Sequence, residues 1–277
     1  MLASPLVNVF QKRLANRNVS PELIVMISYM FFVLLSVPVF IILQPFDLPR
    51  EFWFYIVLLG VFDIFGNMFL VKSLKTIDLS LFGPLNSYKP IFALIFGALM
   101  LGEIPSTMGL IGVAIIVFGS YFLNYSSGKI KLKWGVSRGI IFRFLAIILT
   151  SIAAVFSKRA ILVSSPVITL IYWSAIGWPI SILLLMKINP SWKSEFKRIF
   201  KHFWQLIFLF LSFLALQLFT LLTFEKVFVG YSLALFQLSS VVSVFFGFHF
   251  FQERNFKFRL IGSIIMVMGV MLIVFFG

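Results

Sequence analysis

The sequence predicts an all-α membrane protein of ten transmembrane helices, arranged as two inverted five-helix repeats, with a short first helix. Three observations support this fold class. The 277 residues are 61% hydrophobic and 12% charged, with a mean hydropathy of +1.08, whereas a soluble domain carries about 25% charged residues. Apolar runs long enough to cross a bilayer follow one another with short loops between them. Finally, the second half of the chain repeats part of the first.

Each predicted helix is an apolar run bounded by charged residues, Pro, Gly or Asn. The predicted helices comprise residues 1–15, 22–43, 52–74, 79–101, 106–124, 136–158, 166–186, 203–224, 230–251 and 257–276. The first is short, because its residues rise only about 22 Å against a hydrocarbon core of about 30 Å. Either this helix begins upstream of residue 1, or one wall of a central cavity is incomplete, and the sequence leaves both open.

The internal repeat divides the chain into residues 1–125 and 126–277. A forward shift of 150 positions places four residues on identical ones without a gap: Gly97 on Gly247, Glu103 on Glu253, Gly112 on Gly262 and Gly119 on Gly269. Because five helices is an odd number, the second repeat must cross the membrane in the opposite direction, an arrangement typical of secondary transporters. Chance recurrence of Gly is the weaker alternative. We expect each Glu to face the N-terminus of the helix that follows it.

A motif in the first repeat adds a family resemblance. Pro90 lies in an apolar helix that ends at Leu101-Gly102-Glu103, and spaced glycines follow in the next helix. This pattern resembles the EamA-type permeases of the drug/metabolite transporter (DMT) superfamily, and the resemblance extends over nearly the whole chain. It implies a transporter fold with both termini inside the cell, but no particular solute. The second repeat departs from the pattern, with Phe251-Gln252-Glu253 for Leu-Gly-Glu and Ser240 in the place of Pro90.

Composition excludes several other classes of protein. The net charge of +14 comes mostly from Lys and Arg in short segments between apolar runs, which suits membrane topology rather than nucleic-acid binding. There is no Cys, and His202 and His249 lie far apart in the sequence, so no metal site is predicted. No nucleophile–base pair or phosphate-binding loop is found in the sequence. We therefore expect neither an enzyme nor a bound cofactor.

Loop charge and family resemblance disagree about orientation. On one side of the predicted topology the loops and helix ends hold seventeen Lys and Arg, against four on the other. Since positive charge marks the cytoplasmic side, this count predicts that both termini face outward. The resemblance implies the reverse, and the orientation stays open.

Ionisable residues in the middle of predicted helices are the main site candidates, because an intramembrane charge is costly and usually paired or functional. Lys89 and Asp63 fall at the same depth on neighbouring antiparallel helices. We expect either a structural ion pair or a site in which Lys89 binds a substrate carboxylate and Asp63 binds a cation or a proton. Asn67 lies one turn from Asp63, and Asn86 and Tyr88 extend the polar surface near Lys89.

The second repeat supplies uncharged partners at the equivalent depth. Gln237 and Ser240 face Lys89 across the expected symmetry axis, and Gln217 lies on the preceding helix. Neighbouring Ser and Thr side chains are expected in part to bond only within their own helix. Arg143 either lines the site or extends to the membrane surface. Pro90 frees a backbone carbonyl, which either binds substrate or only lets the helix bend.

These residues predict a secondary transporter that moves a small metabolite, amino-acid-like or anionic, by alternating access through a central cavity. One fixed cation beside an acid and several amides suits a zwitterion or an anion better than a lipophilic cation. A lipid or lipid-linked-sugar translocase of the same fold is the alternative. The expected partners are the solute and the lipid bilayer of a prokaryotic plasma (inner) membrane. Proton coupling, and assembly as a monomer or a homodimer, are left open.

Overall fold

The computed structural model describes residues 3–17, 19–76, 85–125, 138–199, 201, 203–239 and 256–276 of the chain. Throughout these ranges the secondary structure is helical, and no β-strand is found in them. The apolar composition requires this, because inside a bilayer a helix satisfies its own backbone hydrogen bonds.

The helices of at least eight residues in the described ranges are numbered here in chain order. They are α1 (Ala3–Asn16), α2 (Pro21–Leu43), α3 (Arg50–Thr76), α4 (Lys89–Leu101), α5 (Thr107–Tyr125), α6 (Arg138–Leu162), α7 (Pro166–Ile188), α8 (Trp192–Ile199), α9 (Phe203–Lys226), α10 (Val229–Phe236) and α11 (Phe256–Phe276). As predicted, α1 is short: its 14 residues rise about 21 Å.

Within the described ranges, helices α2, α3, α6, α7 and α9 are long and apolar enough to cross a membrane, and α4, α5 and α11 contain shorter apolar stretches. Large apolar side chains cover their outward faces, such as Ile42, which is 79% exposed, and Leu99, which is 78% exposed. Such faces would associate in water but are solvated by lipid. The protein is an integral, multi-pass membrane protein.

Helices from the two halves of the chain pack against each other through the core. Helix α2 lies against α7, α3 against α6, α1 against α9, and α4 against α10. The large side chains of Phe32, Phe52 and Trp173 are fully buried between them. The approach of α3 to α6 depends on Gly66, where a Cβ atom would lie 2.6 Å from Thr150 Cγ2. The core is therefore shared between residues 1–125 and 126–277.

Helices α5 and α11 form a further contact between the halves, in which glycines allow a close approach. A Cβ atom on Gly112 would lie 2.8 Å from the Gly269 carbonyl oxygen, and one on Gly119 would lie 3.0 Å from the Gly262 carbonyl oxygen. The earlier glycine of each helix thus faces the later glycine of the other, so the two helices run antiparallel. The contact is reciprocal, because the sequence repeat makes Gly112 equivalent to Gly262 and Gly119 equivalent to Gly269.

The described helices follow the predicted ones closely, with two exceptions. The short helix α8 is absent from the predicted set; its apolar residues Trp192, Phe196 and Ile199 recur at helical spacing and pack against the core. The predicted helices 79–101 and 230–251 are interrupted, since α4 begins only at Lys89 and α10 ends at Phe236. Residues 77–84 and 240–255 lie outside the described ranges.

The sequence suggested that Glu103 faces the helix that follows it, but the structure shows a different contact. Its Oε2 accepts a hydrogen bond at 2.8 Å from the backbone N–H of Val229, the first residue of α10. The side chain folds back across Gly97, where the missing Cβ leaves room for the carboxylate. Glu103 therefore caps a helix of the other half of the chain. Its repeat counterpart, Glu253, lies outside the described residues.

Candidate functional site

A cavity of about 180 Å³ lies between the two halves of the chain. Most of the predicted site residues contribute to its wall: Asp63, Asn67, Asn86, Lys89, Arg143, Gln217 and Gln237. Further polar groups come from Ser4, Asn8, Thr150, Ser157, Thr220 and Ser239. Residues that are far apart in the sequence thus meet in one polar cavity inside an apolar protein.

Two predicted site residues are not in this wall. Tyr88 is 41% exposed, and its ring packs against Phe144 with 5.8 Å between ring centroids. Its position in a turn directs it away from the cavity that Asn86 and Lys89 line. Ser240 lies outside the described residues.

Two helices are interrupted beside the cavity at equivalent positions. Ser87 and Tyr88 form a turn directly before α4, in which the Tyr88 N–H donates to the Leu85 carbonyl at 3.3 Å. A matching turn directly follows α10, where the Leu238 N–H donates to the Leu235 carbonyl at 3.0 Å. Adding 150, the shift of the sequence repeat, to 85 and 88 gives 235 and 238. Paired interruptions of this kind mark the binding site in transporters built from repeats.

Pro90 frees a backbone carbonyl that a residue of the other half takes up. In a regular helix the N–H of residue 90 would donate to the carbonyl of Asn86, but proline has no N–H. The Gln237 side-chain amide donates to this carbonyl instead, at 3.1 Å. The freed group is therefore satisfied by the protein, and the bond ties the turn before α4 to the turn after α10.

Arg143 extends this connection to α6. It is only 2% exposed, which does not fit an extension to the membrane surface. Its Nη2 donates to the Asn86 side-chain oxygen at 2.5 Å. Asn86 thus joins two residues of the second half, Arg143 through its side chain and Gln237 through its backbone. This network fixes one part of the cavity wall.

Asp63 is held by two neutral donors from other helices. Its Oδ2 accepts hydrogen bonds from the Tyr29 hydroxyl at 2.6 Å and from Trp173 Nε1 at 3.0 Å. Asn67 donates to the Asp63 backbone carbonyl at 3.0 Å, one turn away on the same helix. No carboxylate–ammonium contact within 4.0 Å joins Asp63 to Lys89 among the described residues, so the ion pair considered from the sequence is not formed.

Tyr29 and Trp173 are functional candidates that the sequence did not reveal as partners of Asp63. Both are almost fully buried, and their rings pack with 4.7 Å between centroids. The sequence offered little signal, because 18% of the residues are aromatic. Trp173 is an internal hydrogen-bond donor here rather than an anchor at the membrane surface.

Lys89 is half-buried at the first position of α4 and lines the cavity. No described carboxylate lies within 4.0 Å of its ammonium group. Asp63 and Arg143 are its charged neighbours, and both are near enough to interact with it electrostatically. The N-terminus of α4 adds a partial positive charge at the same place. Lys89 is therefore a basic side chain of the cavity wall that is not paired with any described carboxylate.

Helix α9 contributes Gln217 and Thr220 to the cavity wall. The hydroxyl groups of Thr220 and Thr223 donate to carbonyls one turn back, at 2.7 Å each, as expected for Thr in a membrane helix.

Among the described residues, no group of three or more His, Cys, Asp or Glu is placed to hold a metal ion. Among the described residues of the wall, the charged ones are Lys89, Asp63 and Arg143.

Comparison with known proteins agrees with the predicted family for the first half. The model of the EamA-like transporter family matches residues 1–125. This family is part of the DMT superfamily, so the resemblance noted in the sequence is confirmed for residues 1–125. The family model matches only the EamA-like first half, whereas the departures from the motif lie in residues 126–277.

A solved structure shares the fold of nearly the whole chain. It is titled "Crystal structure of protein", is 16% identical in sequence and has a TM-score of 0.69, covering 98% of this chain and 94% of that chain. At this identity the likeness concerns the fold alone. No curated protein matches the chain. EamA-like proteins are transporters.

Proposed function

We propose that the protein is a secondary transporter that moves a small zwitterionic or anionic metabolite, such as an amino acid, by alternating access. The observation that carries this proposal is the pair of interrupted helices at Ser87–Tyr88 and Gln237–Leu238, with the available cation Lys89 beside them. Helix interruptions expose backbone groups and helix ends to a solute inside the membrane. The family match of residues 1–125 supports transport as the activity.

Alternating access would follow from two inverted five-helix repeats, residues 1–125 and 126–277, within a ten-span fold. The reciprocal contact of α5 and α11 supports this arrangement. Equivalent glycines exchange places across the contact while the two helices run antiparallel, as a two-fold axis in the membrane plane requires. The cavity lies between the two repeats, where rocking of one against the other would open it to each side in turn.

The charges in the cavity wall suit a zwitterion. The ammonium of Lys89 and the N-terminus of α4 would bind a carboxylate. Asp63 Oδ2 is occupied by Tyr29 and Trp173, so Oδ1 remains to accept from the ammonium of a substrate or to carry a coupling proton. A volume of about 180 Å³ is below the about 300–1,000 Å³ of pockets for drug-sized ligands. This size favours a small solute over the lipid or lipid-linked sugar of the alternative function.

We further propose that the protein lies in the plasma (inner) membrane of a prokaryotic cell, as a monomer or a homodimer.

The transport proposal is tested by uptake of radiolabelled amino acids and small carboxylates into proteoliposomes. Lys89→Ala should reduce uptake at least about tenfold, because a charge-assisted hydrogen bond of about 1.5–3 kcal/mol is lost. Lys187→Ala is the matched control, since Lys187 is exposed at the end of α7. Transport that persists in Lys89→Ala would remove Lys89 from the site, and translocation of labelled lipid instead would favour the alternative.

A further inference from the structure

A second polar cluster lies at one end of the cavity, outside the site described above. The Glu103 carboxylate pairs with the Lys158 ammonium at 2.6 Å. Glu103 also accepts from the Val229 N–H at 2.8 Å, and Lys158 donates to the Val227 carbonyl at 2.8 Å. We call these four residues, Glu103, Lys158, Val227 and Val229, the latch.

The latch joins the two halves of the chain. Glu103 lies in the segment between α4 and α5, whereas Lys158 lies on α6, and Val227 and Val229 flank the junction of α9 and α10. Beside the latch, Arg159 Nη2 donates to the Met100 carbonyl at 2.5 Å, which is a further bond between α6 and the end of α4. Two parts of the second half, α6 and the start of α10, are thus held to the end of α4 and the segment after it.

The latch lies beyond the last wall residues at this end of the cavity. Lys158 directly follows Ser157, which lines the cavity, and Val227 lies three residues beyond Phe224, another residue of the wall. The side chains of Glu103 and Lys158 are each only 9% exposed, and Lys158 lies over the Phe228 ring at 5.5 Å. Water therefore has little access to the ion pair.

We propose that the latch is a gate, whose ion pair breaks when the cavity opens at this end and forms again when it closes. This inference rests on the proposed transport function. The α4–α5 segment cannot move away from α6 and α10 while Glu103 holds both Lys158 and the N-terminus of α10. A buried pair strongly resists the loss of one partner, because the other is left as an uncompensated charge. Such a contact gives two discrete states, as alternating access requires.

A second ion pair provides a matched control. Glu22 on α2 and Lys72 on α3 lie 2.9 Å apart, with Glu22 only 6% exposed. Both residues belong to the first half of the chain. Helices α3 and α6 run antiparallel, since Phe62 stacks on Phe156 and Phe69 on Phe142, so Lys72 lies toward the opposite end from the latch. Breaking this pair removes a similar interaction without separating the two halves at the latch.

The experiment uses the absence of Cys from the chain, so that one introduced thiol can be followed without background. Ser157→Cys places it in the cavity wall beside the latch, at a position that is 3% exposed. The rate of reaction with a membrane-impermeant, charged thiol reagent is measured on the purified protein. Glu103→Gln and Lys158→Gln, each added to Ser157→Cys, should accelerate labelling by about tenfold, whereas Glu22→Gln should leave the rate unchanged.

Three results would overturn the gate. The first is an unchanged labelling rate in both latch variants, and the second is an equal acceleration by Glu22→Gln. The third is an equal acceleration by the latch variants when the introduced thiol is Ser73→Cys in place of Ser157→Cys. Ser73 is fully buried outside the cavity wall, so its labelling reports general loosening of the protein. Two latch variants are used so that poor folding of one does not decide the outcome. The readout does not depend on a known solute. Faster labelling in a protein that fails to transport any tested metabolite would therefore overturn the transport proposal and not the gate.

Discussion

Replacing Tyr29 by Phe isolates the bond that holds Asp63. The hydroxyl of Tyr29 donates to Asp63 Oδ2 at 2.6 Å, while the ring packs on Trp173 at 4.7 Å. Tyr29→Phe keeps the ring and removes only the donor. Hydrogen bonds to charged groups contribute about 1.5–3 kcal/mol, and Tyr29 is only 2% exposed, so water cannot replace the lost donor. We expect the free energy of unfolding in detergent to fall by about this amount.

A double-mutant cycle attributes the loss to Asp63 rather than to the tyrosine alone. When Asp63→Ala has already removed the acceptor, adding Tyr29→Phe should cost little, so the coupling energy should be about 1.5–3 kcal/mol. Tyr172→Phe is the matched control, because its hydroxyl donates at 2.8 Å to the Pro45 carbonyl, a neutral acceptor. It should cost about 0.5–1.5 kcal/mol and show no coupling to Asp63. Additive losses in the Tyr29–Asp63 cycle would refute the assignment of Tyr29 as a holder of Asp63.

Two further predictions concern the packing of the halves and the role of Asp63 in transport. Gly269→Val should destabilise the fold by about 1–3 kcal/mol or more, since even a Cβ atom there would lie 2.7 Å from the Gly112 carbonyl oxygen. The measurement is the yield of monodisperse protein in size-exclusion chromatography, which should fall. Gly102→Val is not a suitable control, because Gly102 has a positive φ. If Asp63 carries a coupling proton, Asp63→Asn should abolish solute-driven acidification or alkalinisation in proteoliposomes while solute exchange continues, and an unaltered proton flux would exclude that role.

The sequence identified the charged part of the site because ionisable residues are rare in its apolar runs. Lys89, Asp63 and Arg143 stand out for this reason, and all three line the cavity. The partners of Asp63 could not be found in the same way, since Tyr29 and Trp173 are two among many aromatic residues. Their role depends on how α2, α3 and α7 pack, and this packing has no local signal in the sequence.

The interruptions of the two helices were equally hard to predict. Before α4, Pro90 was a signal that a backbone bond is missing. After α10 the equivalent position holds Ser240, so the run from 230 to 251 reads as one continuous apolar helix. The structure ends α10 at Phe236 all the same, where Gln237 turns its side chain to the carbonyl that Pro90 leaves free. This hydrogen bond ties the second interruption to the first half of the chain.

The two halves are most alike where they form the scaffold and least alike at the cavity, and the proposed two-fold relation explains this difference. Gly112 and Gly262 must both be small, because each supports one of two equivalent close contacts between α5 and α11. Lys89 and Ser239 also occupy equivalent positions, but they line one small cavity. A lysine in both places would set two ammonium groups against each other, at a cost of about 2 kcal/mol for a separation of about 8 Å and an effective dielectric constant of about 20. A further cation beside Lys89 and Arg143 is therefore unfavourable, and this explains why the repeat is lost from the sequence at the place where a solute would bind.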